Sequence, residues 1–240
     1  MAAKAEQSPD FDLEHQALRG EGPDLFVSQK PKMVVGIDEA GRGPWAGPVT
    51  AAAAWIHPEY VAELPPGLND SKTISAGKRA ALWEKLQLLA ENPEIFRIHV
   101  ASVDAAGIDQ MGILPATFHA MELALSGLSP DEHDLHVLVD GSLAPPFPTL
   151  RLRQKLTVQP VVKGDSRSLS IAAASIAAKQ TRDTIMMELD RSWPQYGWRK
   201  NMGYGTRPHA ETLTQEGPCP HHRLSFRPVA RAAAAHGYTR

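Results

Sequence analysis

The chain reads as an α/β or α+β protein, and three observations carry that reading. Short apolar runs rich in β-branched residues recur from Met33 onward, separated by turn-rich segments or by stretches of helical periodicity. Several of these runs end at a carboxylate beside a glycine, as strands do when they deliver side chains to one edge of a sheet. Hydrophobic content of 42% and charged content of 22% are those of a globular protein, and 240 residues allow one large domain or one plus an appendage.

Residues 1–30 lack periodicity and contain Gly20, Gly22 and Pro23, which predicts a loosely attached extension. Strands are predicted over 33–38, 47–56 and 95–104. Between the second and third, Pro65-Pro66-Gly67 marks a loop into Asn69-Asp70-Ser71-Lys72, and Leu82, Leu86 and Leu89 give 78–90 a helical spacing. A second helix is predicted over 116–128, with Pro115 opening it and Gly127 near its end. The apolar run 135–140 ends in Asp140-Gly141, and the proline-rich loop Pro145-Pro146-Phe147-Pro148 leads to a strand over 156–163 and then Gly164-Asp165. The longest helix is predicted over 168–190, and its Ala- and Ser-dense first half predicts close packing on a sheet.

The lone Cys219 excludes an internal disulfide framework and fits a reducing compartment. No apolar stretch approaches the roughly 18 residues of a membrane span, and the polar, acidic start lacks a signal-peptide hydrophobic region, so a cytoplasmic location is expected. A net charge of -2 is no global signature of a nucleic-acid binder. Its distribution is uneven, however: Arg199, Lys200, Arg207, Arg223, Arg227, Arg231 and Arg240 face only Glu211 and Glu216 across 198–240, a basic end suited to a phosphate backbone.

The chemistry centres on Asp38-Glu39-Ala40-Gly41-Arg42-Gly43-Pro44. Two carboxylates at a strand end precede glycines that let the backbone turn tightly, and Arg42 adds a charge suited to a phosphate. With Asp140 and Asp165 at two further strand ends, four carboxylates are expected to converge on one sheet edge. Such a group repels itself unless cations sit within it, and Mg²⁺ takes a few carboxylates together with substrate phosphate. Two such ions about 3.5–4 Å apart suit in-line phosphodiester hydrolysis.

Other chemistries fit less well. The glycines at 41, 43 and 47 are spaced one residue too widely for a dinucleotide fingerprint, and no G-x-x-x-x-G-K-[ST] loop is present. Cys219, His221 and His222 lack a second ligand pair at zinc-finger spacing. Ser166, Ser168 and Ser170 lack a nucleophile elbow. A glycosidase pair would leave Arg42 and the basic end without a role.

The stretches Gly36–Pro44, Leu68–Lys72, Val139-Asp140-Gly141, Val162–Ser166, Ala173–Lys179 with Arg182-Asp183, Gly203-Tyr204, and His222-Arg223 with Ser225-Phe226 closely resemble the ribonuclease HII family, in order, across about residues 33–230. The resemblance implies a ribonuclease H-like mixed five-stranded sheet flanked by helices, with a small helical C-terminal region. It divides the chain into the 1–30 extension, a catalytic domain over 31–192 and a helical substrate-binding region over 193–240. It further implies an endoribonuclease that uses Mg²⁺ or Mn²⁺, two ions with substrate bound, to cleave the RNA strand of RNA–DNA hybrids. Nicking 5′ to single ribonucleotides in duplex DNA is implied as well, leaving 3′-hydroxyl and 5′-phosphate ends.

Under that resemblance the metal-binding acids fall on Asp38, Glu39, Asp140 and Asp165, and the loop that grips nucleic acid falls on Gly41, Arg42 and Gly43. The junction-sensing tyrosine falls on Tyr204, and Lys72 is assigned a phosphate contact. A monomer is expected, with no membrane role. Two departures stand beside the tyrosine: Met202 and Gly205 occupy positions where the family often has a lysine and a proline. The segment 142–159 looks longer than usual, and its Arg151, Arg153 and Lys155 are read as an added contact to the nucleic-acid backbone. The alternative is another ribonuclease H-like nuclease that acts on DNA or junctions.

Overall fold

A computed structural model describes residues 8–21, 33–128, 134–151 and 155–240. Five strands, β1 (Met33–Ala40), β2 (Val49–Ile56), β3 (Phe96–Val103), β4 (Leu135–Asp140) and β5 (Leu156–Val161), form one mixed sheet in the order β3-β2-β1-β4-β5. The pairs β1/β2 and β2/β3 are antiparallel, whereas β1/β4 and β4/β5 are parallel. The strand and helix positions expected from the sequence hold to within a few residues.

Helices cover both faces of this sheet. Helix α4 (Ile113–Gly127) packs Ala116, Ala120, Ala124 and Leu125 against Val35, Ile37, Ala51, Ala53, Val137 and Val139. On the opposite face, α2 (Ala76–Leu89) and α6 (Leu169–Ser192) bury Leu82, Leu86 and the alanines 172–174 against Ala52, Ala54 and Ile56. The run Ala51–Ala54 thus alternates between the two cores, all four residues at 0% exposure. Alanine is a weak strand former, but a central strand between two helical layers gains from small side chains that let both layers approach.

Gly36 in β1 carries this to its limit, since a Cβ there would lie 2.3 Å from the α6 backbone at Ile171 N. Helix ends follow local chemistry: Ser75 caps α2, Asp104 caps α3 (Ala105–Met111), and Ser168 caps α6. Pro115 does not open α4, which starts at Ile113 after Gly112 (φ +85°), but it lies in the first turn, where a missing N–H is no loss.

One difference from the sequence expectation concerns the N-terminal end, whereas the C-terminal region is helical as expected. Within 1–30, residues Asp12–Arg19 form helix α1, with Glu14 and Ala17 buried, so this part of the expected loose extension is docked; 1–7 and 22–32 lie outside the described residues. At the other end, α7 (Trp198–Asn201), α8 (Arg207–Glu216) and α9 (Arg227–His236) build the helical region around buried Tyr196, Trp198 and Cys219. In the 142–159 segment, Phe147 and Leu150 are core residues, Arg153 lies outside the described residues, and short helix α5 (Pro148–Arg151) intervenes. Among the described residues no helix is long and apolar enough to cross a membrane.

The contact at Gly36 yields a stability test. Gly36→Ala forces the sheet and α6 apart, and overpacking of this kind costs about 1–3 kcal/mol. Urea denaturation followed by far-UV dichroism should show a lower midpoint at an unchanged slope.

Candidate active site

Parallel pairing of β1 with β4 sets Ile37 opposite Val139, so Asp38 and Asp140 emerge side by side at the same sheet edge. The third acid comes from the turn after β5. Lys163 takes a left-handed conformation (φ 56°), a 3-10 turn Gly164–Ser166 follows, and Gly164 N donates to Asp140 Oδ1 at 2.7 Å. Asp38, Asp140 and Asp165 consequently offer ligand oxygens that all lie within 4.8 Å of one another.

The fourth predicted acid behaves differently. Glu39 falls outside that trio, and its Oε1 meets Arg42 Nη1 at 3.5 Å. The pair is long and Arg42 is half exposed, so its worth is roughly 0–1 kcal/mol and either side chain turns to a ligand at little cost. Four predicted acids therefore become three that converge and one at the margin.

Electrostatics mark the trio as a poor resting arrangement. Burial, then the neighbouring Glu39 and Asp140, hold the Asp38 carboxyl well above the usual carboxylate range, with Ser175 opposing as a hydrogen-bond donor. Burial followed by the charges of Asp140 and Asp70 pushes Asp165 up to about 6. Burial also raises Glu39, against the pull of Arg42. Lys72 is the nearby cation: burial works against its charge, but Asp38, Asp70, Asp165 and Asp140 outweigh this and hold its ammonium above the ordinary value. Clustered hard oxygen donors with penalised charges and no imidazole or thiolate among them fit divalent Mg²⁺ or Mn²⁺.

The loop holding Lys72 is fastened from α6. Ser175 Oγ and Ser71 Oγ share a hydrogen bond at 2.9 Å, and Asp183 holds Arg79 (2.8 Å), whose Nη1 reaches Ser71 O at 3.2 Å. Asp70 was quoted in the sequence motif without a role; here its side chain lies against Asp165 and its Oδ1 accepts from Lys72 N.

Two buried arginines shape the loop after β1. Arg182 donates to Pro48 O, Met202 O and Ala46 O, and Arg223 to Gly47 O, Arg42 O, Gly41 O and Pro48 O. Gly41 (φ +95°) has no room for a side chain, because a Cβ would sit 2.0 Å from Arg182 Nε. Arg223, pushed down to about 9 by burial and then by Arg182, is still charged at neutral pH.

Tyr204 stands at the far side of this loop, 51% exposed, with Gly43 beside its ring. A buried chain of hydrogen bonds fixes its carbonyl. Cys219 N donates to His222 Nδ1, so His222 carries its proton on Nε2 and donates to His209 Nε2 at 3.0 Å. His209 is then protonated on Nδ1, which donates to Tyr204 O at 2.9 Å. Both rings are neutral, His222 pushed down to about 3 by burial and by His209. Their lone pairs are committed to this chain, in keeping with the sequence argument against zinc. Gly205 needs its missing side chain, since a Cβ would fall 2.0 Å from the Trp45 ring.

A mixed sheet that gathers carboxylates at the ends of its parallel strands, beside a glycine-arginine loop, defines a metal-dependent nucleic-acid hydrolase of ribonuclease H-like fold. The family model described as Ribonuclease HII matches residues 35–229. A ribonuclease HII of Magnetococcus marinus is 44% identical over 232 residues, covering 95% of this chain and 97% of that relative. Among solved structures, ribonuclease H2 from Pyrococcus horikoshii superposes with a TM-score of 0.66 at 25% identity, covering 86% of this chain and all of that one. Bst-RNase HIII in complex with Mn²⁺ gives 0.64 at 20% identity, covering 85% of this chain and 70% of that one, a likeness of fold. The chain belongs to the ribonuclease HII family, metal-dependent endoribonucleases that act on RNA–DNA hybrids.

The electrostatics give a test that needs no substrate. A carboxyl raised in the folded state stabilises the protein below its unfolded value of about 3.8, and that contribution is lost as pH rises through about 6. In chelator, stability should accordingly rise as pH falls from above 6 toward 4. Asp38→Asn should raise the chelated Tm by about 2–4 °C, equivalent to roughly 1 kcal/mol in a chain of this size. Mn²⁺ should raise the wild-type Tm and leave the variant's unchanged.

Proposed function

We propose that this enzyme, besides cleaving the RNA strand of RNA–DNA hybrids, nicks duplex DNA 5′ to a single embedded ribonucleotide, leaving 3′-hydroxyl and 5′-phosphate ends. The observation that carries the reading is the convergence of Asp38, Asp140 and Asp165 at the head of a loop whose Gly43 lies against Tyr204. These acids, with Glu39 completing the set, would hold two divalent ions, Mg²⁺ or Mn²⁺, which would supply activation of water and neutralisation of the reacting phosphate. The remaining work falls to the chain's own groups.

Arg223 turns the Gly41 and Arg42 carbonyls inward. The C=O and N–H of a trans peptide point in opposite directions, so the amides of Arg42 and Gly43 turn away from Arg223. Donors there suit a 2′-hydroxyl and its phosphate, and the 2′-hydroxyl is the group that separates RNA from DNA. Tyr204 offers its ring to the sugar following the ribonucleotide, where close stacking on a deoxyribose leaves no room for a further hydroxyl. Lys72, beside the acids, would offer its ammonium to the phosphate. A cytoplasmic monomer remains the expected form.

The test is an end-labelled DNA duplex with one internal ribonucleotide beside its all-DNA control, in Mg²⁺, Mn²⁺ or chelator. Cutting on the 5′ side of the ribonucleotide, with metal and in that duplex alone, is the expected result. Asp38→Asn should lower kcat by on the order of 10²–10³-fold or more, the scale of losing one electrostatic contact to the transition state. Tyr204→Ala should impair the single-ribonucleotide substrate more than a long hybrid. Equal cutting of both duplexes would move the enzyme to a nuclease class that reads DNA or junctions.

A further inference from the structure

Helix α1 lies before the 35–229 stretch matched by the family model, yet it is fastened to the turn that carries Asp165. Glu14 is fully buried. Its Oε1 accepts Ser168 Oγ and Ser170 Oγ, each at 2.6 Å, and Ser170 N at 3.0 Å, while Oε2 meets no donor among the described residues. Burial raises its pKa, and the serine hydrogen bonds oppose that shift.

The backbone reinforces the clasp. Leu169 N donates to Asp10 O at 3.0 Å and Asp10 N to Arg167 O at 3.4 Å, forming a short bridge to the chain just after the Asp165 turn. Ala17 packs with Val34, Leu138, Val161 and Ile171, holding α1 against the sheet and the start of α6.

A buried carboxyl is an expensive way to dock a helix, since an apolar side chain would cover the same surface without desolvating a charge. What the carboxyl adds is direction. Three donors converge on one oxygen at the start of α6, where a helix N-terminus favours negative charge. Ser168, one of the three, is the residue that caps α6 and whose N–H closes onto Gly164 O at 2.8 Å; Gly164 in turn donates to Asp140 Oδ1. The path from Glu14 to the acid trio is thus an unbroken series of hydrogen bonds through Ser168 and Gly164.

We propose that Glu14 is a positioning residue that sets the Gly164–Ser166 turn through Ser168 and Ser170, fixing Asp165 for divalent-cation binding. The proposal rests on the reading of Asp38, Asp140 and Asp165 as metal ligands. Glu14 acts through the turn and touches neither cation nor substrate.

The test measures Mn²⁺ binding to the full-length protein by the paramagnetic resonance signal of free Mn²⁺, with no substrate present. Glu14→Ala should weaken binding about tenfold, the usual scale for removing a group that orients a ligand. Glu14→Gln, which keeps an accepting oxygen toward both serines, should restore most of it. Substrate KM at saturating metal should stay within about twofold in both variants, because the hybrid-binding surface lies elsewhere. Ser170→Ala removes one donor and leaves Ser168 in place, so it covers the case in which Glu14→Ala does not fold; a threefold to tenfold loss is expected.

Wild-type Mn²⁺ affinity in a folded Glu14→Ala or Ser170→Ala protein, with only Tm lowered, would overturn the proposal and leave α1 a stabilising strap. Asp165→Asn is the control for the underlying reading. If it binds Mn²⁺ as the wild type does, the assignment of the trio fails, whatever the Glu14 variants show.

Discussion

Two buried guanidinium groups that donate to main-chain carbonyls hold the functional surface together. Arg182 and Arg223 are 1% and 0% exposed, and every hydrogen bond assigned to them ends on a main-chain carbonyl of the segment 41–48 or of Met202. Removing a cation from water costs several kcal/mol, and hydrogen bonds from a charged donor return roughly 1.5–3 kcal/mol each. Three bonds from Arg182 and four from Arg223 are enough to offset that cost only if the carbonyls are held at these positions. The arginines and the loop conformation therefore require each other. By comparison the Glu39–Arg42 contact on the outer side of the same loop is weak, so the inner face determines the loop's shape and the outer face is left free for a ligand.

That division explains how residues from distant parts of the chain share one surface. Arg182 comes from α6 and Arg223 from the segment before α9, and both donate to Pro48 O, so the sheet domain and the helical region meet on a single carbonyl. Trp45 N donates to Gly203 O and Arg223 N to Trp45 O, which stitches the tyrosine segment to the same loop. A Cβ on Gly203 would lie 2.5 Å from Ala46 O. The spacing between Gly43 and Tyr204 is set by packed backbone rather than by exposed side chains.

Much of this was legible in the sequence, and the parts that were not share a cause. Strands ending in Asp38, Asp140 and Asp165 announce themselves because β-branched runs and glycines have local meaning. Arg182 and Arg223 stood in quoted motifs, but their partners are carbonyls, which every residue possesses, so no pairing of residue types pointed to them. Of the bases counted at the C-terminal end, Arg223 is buried, Arg207 pairs with Glu211, Arg199 with Asp190 and Arg240 with Asp109, pairings that a count of charges does not reveal. Helix α1 escaped because its buried face includes Glu14, which breaks the apolar period. Glu39 follows Asp38 on the strand, so its side chain leaves the other way, and it stays within electrostatic reach of Asp38 and Asp140 while meeting Arg42.

The same contrast accounts for the role of α6. A helix whose first half is alanine and serine contributes little stabilisation per side chain, yet it approaches β1 so closely at Gly36 that a Cβ there would meet its backbone. Close approach brings its polar groups within reach of the sheet edge: Ser168 and Ser170 beside the Asp165 turn, Ser175 beside Asp38, Asp183 behind the Lys72 loop, and Arg182 under Gly41. Larger apolar residues at the interface would bury more surface and hold these groups too far away. The raised carboxyls of Asp38 and Asp165 show what the arrangement costs the metal-free protein, and their proximity is maintained because the opposing contacts lie along one rigid helix. An acid cluster that repels itself stays assembled only when the scaffold, and not the cluster, determines where each oxygen sits.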